Sequence, residues 1–312
     1  MSAMMWEAAI PLLQRLWIYQ GERFPLAKTA LLLGVFASAG INLSAQLSNR
    51  ALPSWPSYVV AILVSVIFFF QLRACDEIKD AEDDRLYRPE RPVPRGLVSL
   101  RLVVGLGLAG IPVSVLAAGL LDMRLLPLLT VVWIWMALMA VEFFVPAWLK
   151  ARPFLYLVSH MLILPLIALF ATACEWLRFG GHPSPALFLF LFLSFACGCV
   201  FEVGRKIYAP INERTGVETY SALLGARDAT LLWCASLIVA YGLLIAIGSV
   251  AGVPRPIAVI GLIGLAACLS SAAFFLRGFD AAGQRRIDTM SALWLLISYG
   301  ACALAPFAPW WG

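Results

Sequence analysis

Charge is scarce in this chain. Asp, Glu, Lys and Arg make up 13% of the 312 residues, and histidine occurs only twice. A soluble domain carries about 25% charged residues. With 62% apolar residues and a mean hydropathy of +0.88, no water-soluble core is large enough to hide the apolar surface. Low charge also excludes a disordered chain, and neither a G-x-y repeat nor a persistent heptad is present for collagen or a coiled coil. The seven cysteines (Cys75, Cys174, Cys197, Cys199, Cys234, Cys268 and Cys302) are odd in number and sit in or beside apolar segments. They lack the spacing of a disulfide framework, and Cys197/Cys199 has no second pair to complete a zinc site. Small packing residues are what remains. A cleavable leader is not expected either, because Glu7 and Gln14-Arg15 interrupt the start and no small-residue cleavage site follows. The chain reads as a single-domain, all-α, polytopic membrane protein spanning residues 1–312.

A bilayer core takes about 20 apolar residues per helix. That ruler gives nine spans, near 27–47, 54–74, 98–119, 125–145, 153–174, 185–203, 230–250, 256–276 and 290–309. Residues 1–25, with Trp6, Ile10, Leu13 and Trp17 near one face, suit a cytoplasmic or interfacial helix. Placing the N-terminus inside puts 19 of the 23 Lys+Arg on the cytoplasmic side and leaves only Arg50, Arg124, Arg178 and Arg255 outside. The net charge of +5 is therefore a matter of topology and calls for no nucleic acid. The C-terminus, Pro309-Trp310-Trp311, falls on the opposite side as an aromatic anchor.

Two cytoplasmic loops are long and charged. The first follows span 2. If that span continues as a helix, Asp76, Asp80 and Asp84 recur at i, i+4 and i+8, with Glu77 beside the first. A stripe of carboxylates at a membrane edge repels itself unless cations occupy it. Oxygen ligands without His or Cys suit a hard cation, and Mg²⁺ typically joins one or two carboxylates to substrate phosphates. A second acidic segment, opening with Glu202, follows span 6, 126 positions after Asp76. The spacing suggests a four-helix unit used twice with a ninth helix appended, and such repeats commonly hold a site at their interface. Two acidic clusters over one cavity, ringed by Arg and Lys, would receive a metal-bound diphosphate.

These residues resemble the UbiA superfamily of intramembrane prenyltransferases. Its first motif, N-D-x-x-D-x-x-x-D, is matched by Asp76-Glu77-x-x-Asp80-x-x-x-Asp84. Its R-P-x-x-x-G segment is matched by Arg91-Pro92 and Gly96. In the second motif Glu202-x-x-x-Lys206 puts a lysine where the family has a carboxylate, while Glu213-Arg214-x-Gly216-x-x-Thr219 keeps the later part. The resemblance implies a nine-helix bundle in which Asp76, Glu77, Asp80, Asp84, Glu202 and Glu213 carry one or two Mg²⁺. Arg88, Arg91, Lys150, Arg205 and Lys206 would grip the diphosphate, with Tyr208 on the substrate side. Lys206 would replace one metal's charge, or Glu213 would swing in as ligand. The substrates implied are an isoprenyl diphosphate and an unidentified acceptor, with membrane lipid around the bundle.

Within the spans, His160 lies roughly 10 Å from the cytoplasmic side and is a candidate to orient or deprotonate the acceptor. Glu142, level with the acidic motifs, either lines the pocket or pairs with a base. Asn42 and Gln46 read as inter-helix glue. Phe68-Phe69-Phe70 and the Phe188 to Phe195 run read as packing or lipid-facing aromatics, with a prenyl tunnel as the other use. Three alternatives to prenyl transfer stay open at this level. They are a terpene cyclase on the same scaffold, a transporter with acidic cation sites, and a non-catalytic isoprenoid-binding protein.

Overall fold

The computed structural model describes residues 10–308, so Trp6 and the Pro309-Trp310-Trp311 anchor lie outside the described residues. Among the described residues there are helices and connecting turns and no strand. Nine helical segments are long and apolar enough to cross a bilayer. They are α2 (Leu26–Leu47), α3 (Trp55–Lys79), α5 (Leu100–Leu121), α6 (Leu126–Ala140), the pair α8 (Pro153–Met161) and α9 (Ile163–Trp176), α10 (Leu187–Gly204), α12 (Ala226–Val250), α13 (Pro254–Gly278) and α14 (Ala281–Leu304). Four shorter helices lie between or before them: α1 (Leu12–Arg23), α4 (Ala81–Tyr87), α7 (Pro146–Lys150) and α11 (Tyr220–Leu224). In lipid each backbone amide must be paired within its own segment, which is why apolar runs of this length fold as helix. The Leu162 break between α8 and α9 sits three residues before Pro165, whose missing N–H leaves the Met161 carbonyl without its helical donor.

All nine expected spans are present; several ends shift, and three of the shifts have a visible cause. Span 2 runs past residue 74 to Lys79, because its last polar turn finds partners inside the bundle. Span 4 stops at Ala140 instead of reaching 145. There Glu142, Phe143 and Phe144 take left-handed φ values of 49°, 54° and 62°, which turn Glu142 inward. Span 9 begins at Ala281, well before residue 290, where the Asp280 carboxylate accepts the Gly283 N–H at 2.6 Å and caps a polar first turn.

Consecutive spans are neighbours, and α14 closes against α2, so the nine form a ring. α9 packs across the ring against both α2 and α3, and α10 against α14. Phe68 lies between Trp133 and Phe170, and Phe190 meets Phe36 and Tyr299. Those two phenylalanines are core, whereas Phe188 and Phe192 face outward. At the close approach of α10 and α14, a methyl group on Gly204 would collide with Ser291 Oγ. Asn42 and Gln46 act as glue: Asn42 Nδ2 donates to the Ala303 carbonyl and Gln46 Nε2 to that of Ala251, each at 2.7 Å.

Candidate active site

The first acidic segment does not form one straight stripe. α3 ends at Lys79, Asp80 adopts φ −87° and ψ 0°, and α4 starts anew at Ala81. Asp84 is thereby carried off the line of Asp76 and Asp80 and is 2% exposed. Arg91 Nη1 donates to both of its oxygens at 2.7 and 2.8 Å, and Arg88 Nε lies 3.1 Å away. Glu77 is equally buried and accepts from Arg23 Nε at 2.6 Å. Asp76 differs: its side chain is 46% exposed and, among the described residues, meets only Arg73, at 3.4 Å. No hydrogen bond or ion pair reaches the Asp80 carboxylate among the described residues. Burial, then the Asp76 and Asp84 charges, push the Asp80 carboxyl above the usual range. Such a carboxyl is disfavoured as an unpaired anion, and a nearby positive charge would relieve it.

Behind Asp76 lies a buried polar knot. Lys79 Nζ reaches Glu142 Oε1 at 2.9 Å, the Tyr156 hydroxyl at 2.9 Å and His160 Nε2 at 3.2 Å. His160 Nδ1 is 3.0 Å from the Tyr156 carbonyl, which accepts its proton and leaves Nε2 free to accept from the ammonium. The imidazole is therefore held neutral, and its ring stacks on Tyr156 with centroids 3.9 Å apart. Glu142 Oε2 is buried without a hydrogen-bond partner among the described residues. A cavity of about 20 Å³, sized for a single water, is bordered by Asp76, Lys79, His160, Leu72, Met136 and Met139. Glu142 thus pairs with a base, Lys79, and Lys79 and Tyr156 bring it together with His160. Lys79 was legible only as the lone base inside an acidic run.

In the second segment both oxygens of Glu202 are taken. Arg205 Nε and Nη2 lie 2.6 Å from one and Lys206 Nζ 2.9 Å from the other. Glu202 raises the Arg205 guanidinium further, with Asp76 adding to it from across the bundle. Glu213 accepts from Thr219 Oγ1 at 2.9 Å and from Ser221 Oγ at 2.6 Å. The Tyr208 N–H donates to that same Ser221 oxygen at 2.7 Å. Glu213 therefore braces its own loop, and Thr219 caps α11 through the Ala222 N–H. The two loops touch: Arg214 Nη1 meets Glu90 at 3.0 Å, and the Tyr87 ring lies against Gly216. Gly216 has φ +79°, and a Cβ there would strike that ring. Lys150 is exposed at the end of α7.

Among the described residues no three carboxylate, imidazole or thiol groups converge on a ready-made metal cage. Asp76 and Asp80 nevertheless fit Mg²⁺, which keeps several waters and binds through one or two carboxylates plus substrate phosphates. Their donor set is oxygen only, and Asp80 is disfavoured as an unpaired anion.

The profile of the UbiA prenyltransferase family matches residues 31–297. Solved structures agree in fold. An apo UbiA homologue from Aeropyrum pernix K1 aligns with a TM-score of 0.67 at 18% identity, covering 88% of this chain and 98% of that one. A UbiA homologue from Archaeoglobus fulgidus bound to DMAPP and Mg²⁺ aligns at 0.56 and 14%, covering 92% and 99%. A digeranylgeranylglyceryl phosphate synthase aligns at 0.57 and 14%, covering 89% and 98%. No curated protein matches by sequence. Profile and fold coincide over nearly the whole bundle, and the chain belongs to the UbiA prenyltransferase family.

Proposed function

We propose that this protein transfers a prenyl group from an isoprenyl diphosphate to an acceptor at the cytoplasmic face of the membrane, with Mg²⁺ held by Asp76 and Asp80. The observation that carries this reading is the division of labour among the acids. Glu77, Asp84, Glu202 and Glu213 are each claimed by guanidinium, ammonium or hydroxyl donors, while Asp76 and Asp80 stay open one helical turn apart. The Archaeoglobus homologue solved with DMAPP and Mg²⁺ supports the same ligand pair. Bound there, Mg²⁺ would neutralise charge on the departing diphosphate.

The chain's own residues do the rest. Arg205, exposed beside Glu202 and within the field of Asp76, is placed to meet diphosphate oxygens. Arg88 and Arg91 hold Asp84 and so fix the loop that follows α4. Lys206 neutralises Glu202 where a family member would have a second carboxylate. His160, neutral and bordering the cavity next to Asp76, is placed to orient the acceptor, with its Nε2 engaged by Lys79 and its Nδ1 proton held by the Tyr156 carbonyl. The apolar ring of helices would keep water from the allylic cation left when the bond between the prenyl group and the diphosphate breaks and the diphosphate departs. On this reading the N-terminus and both acidic loops are cytoplasmic. α1 lies in the interface with Leu13 and Trp17, 80% and 72% exposed, turned to lipid.

The test is diphosphate release by the detergent-purified protein with C10 to C20 prenyl diphosphates and Mg²⁺, with and without a cell-lipid extract. Release that needs the extract, with a prenylated lipid in the product by mass spectrometry, is expected. Equal release without the extract would indicate a cyclase or hydrolase on this scaffold, and none under either condition would defeat the proposal.

A further inference from the structure

α1 lies outside the stretch that matches the family, yet it delivers a guanidinium to the first acidic segment. Positions 15, 19 and 23 share one helical face. On that face Tyr19 is buried in a small apolar cluster with Ala74, Leu97, Val98 and Val103. Just beyond the helix, Phe24 meets Phe70 edge-on at 5.4 Å. Glu22 takes both Nη atoms of Arg95 at 2.8 and 2.9 Å. Three contacts of different chemistry thus fix α1 in one register against α3 and the loop that follows α4.

That register sets Arg23 between two buried carboxylates. Its Nε is 2.6 Å from Glu77 Oε1, and its Nη2 is 4.0 Å from Asp84 Oδ2. Arg23 Nη2 is itself buried, with no hydrogen-bond acceptor among the described residues. Glu77 follows Asp76 directly, and successive residues on a helix point about 100° apart. The two carboxylates therefore leave α3 in different directions, Asp76 toward the cavity and Glu77 toward α1.

We propose that Arg23 is a positioning residue for the first acidic segment: it neutralises Glu77 and braces Asp84, so that Asp76 and Asp80 alone are presented to a metal-bound diphosphate. This rests on the prenyl-transfer reading, in that the diphosphate is taken to meet Asp76 and Asp80. Without Arg23, Glu77 becomes a buried, unpaired anion one residue from Asp76. It would then compete for the cation or repel its neighbour's charge. The acidic motif is thereby sorted into ligands and supports by a helix that the motif itself does not contain.

The experiment uses the full chain in detergent, titrated with Mn²⁺ in the presence of inorganic pyrophosphate and followed by EPR. Thermal unfolding is recorded on the same samples. The variants are Arg23→Gln, Arg23→Lys and the double variant Arg23→Gln/Glu77→Gln. Arg23→Gln should raise the half-saturating Mn²⁺ concentration about tenfold or more, the equivalent of one charge-assisted hydrogen bond. Arg23→Lys should recover part of that loss. The double variant should recover most of it, because removing both partners leaves no buried unpaired charge.

Wild-type-like binding by Arg23→Gln would overturn the proposal. So would weaker binding by the double variant than by Arg23→Gln, since that would make Glu77 a ligand. If the wild type binds no Mn²⁺ with pyrophosphate, the prenyl-transfer reading fails separately. The melting midpoints then decide whether Arg23 braces Glu77. A drop in Arg23→Gln that the double variant reverses upholds the pairing, and no drop overturns it.

Discussion

The two acidic loops occupy corresponding places in the chain, one after the second span and one after the sixth, yet they are built on opposite terms. In the first, three arginines surround Asp84 and Glu77, and that enclosure leaves Asp76 and Asp80 open. In the second, Glu202 is neutralised within its own helix end by Arg205 and Lys206, and Glu213 is folded back on Thr219 and Ser221. The first loop offers anions to a cation, and the second offers cations to an anion. A metal-bound diphosphate needs both. On the proposed reading, the lysine that departs from the family's second motif neutralises Glu202 and turns the second loop toward the diphosphate rather than the metal.

The sharpest way to break this comparison is to remove an open carboxylate from the first loop. Asp76→Asn or Asp80→Asn should lower metal-dependent diphosphate release by about two orders of magnitude or more, measured at saturating Mg²⁺. A second substitution would make the loops alike. Lys206→Asp adds a carboxylate beside Glu202 and removes its partner, so Mn²⁺ bound per chain with pyrophosphate should rise by about one, counted by EPR.

The buried knot behind the first loop is a test of stability rather than of chemistry alone. Lys79→Met strands Glu142 in the bundle, at a cost of about 3–5 kcal/mol. Lys79→Met/Glu142→Gln should recover much of it, as read from melting midpoints in detergent. The smallest effect belongs to the contact between the loops. Gly216→Ala, at φ +79° against the Tyr87 ring, should cost about 1–3 kcal/mol. It should also loosen the Arg214–Glu90 pair, detectable as faster proteolysis of the second loop.

The bundle was legible in the sequence because lipid imposes a single solution on long apolar runs, so the nine spans could be counted from length alone. Span ends were less legible. Ala140 ends its helix because Glu142 turns inward to Lys79, a contact between residues 63 positions apart that no local pattern announces. The same holds within the site. The carboxylates announced themselves by charge and spacing, but the closing of Glu77 depends on Arg23, 54 positions away. The stripe of Asp76, Asp80 and Asp84 assumed a helix that continues, and the turn at Asp80 sends the third member to the arginines. Tyr156 is one turn from His160 and organises its tautomer, yet a tyrosine in a span carries no signal of that role.

The central claim is that Asp80 and a divalent cation act together on the diphosphate. It is tested most directly by following diphosphate release from a prenyl diphosphate, with the lipid extract present, for wild type and Asp80→Asn in Mg²⁺ and in EDTA. Release is expected only for wild type in Mg²⁺. Release that persists in EDTA, or in Asp80→Asn at the wild-type rate, would contradict it.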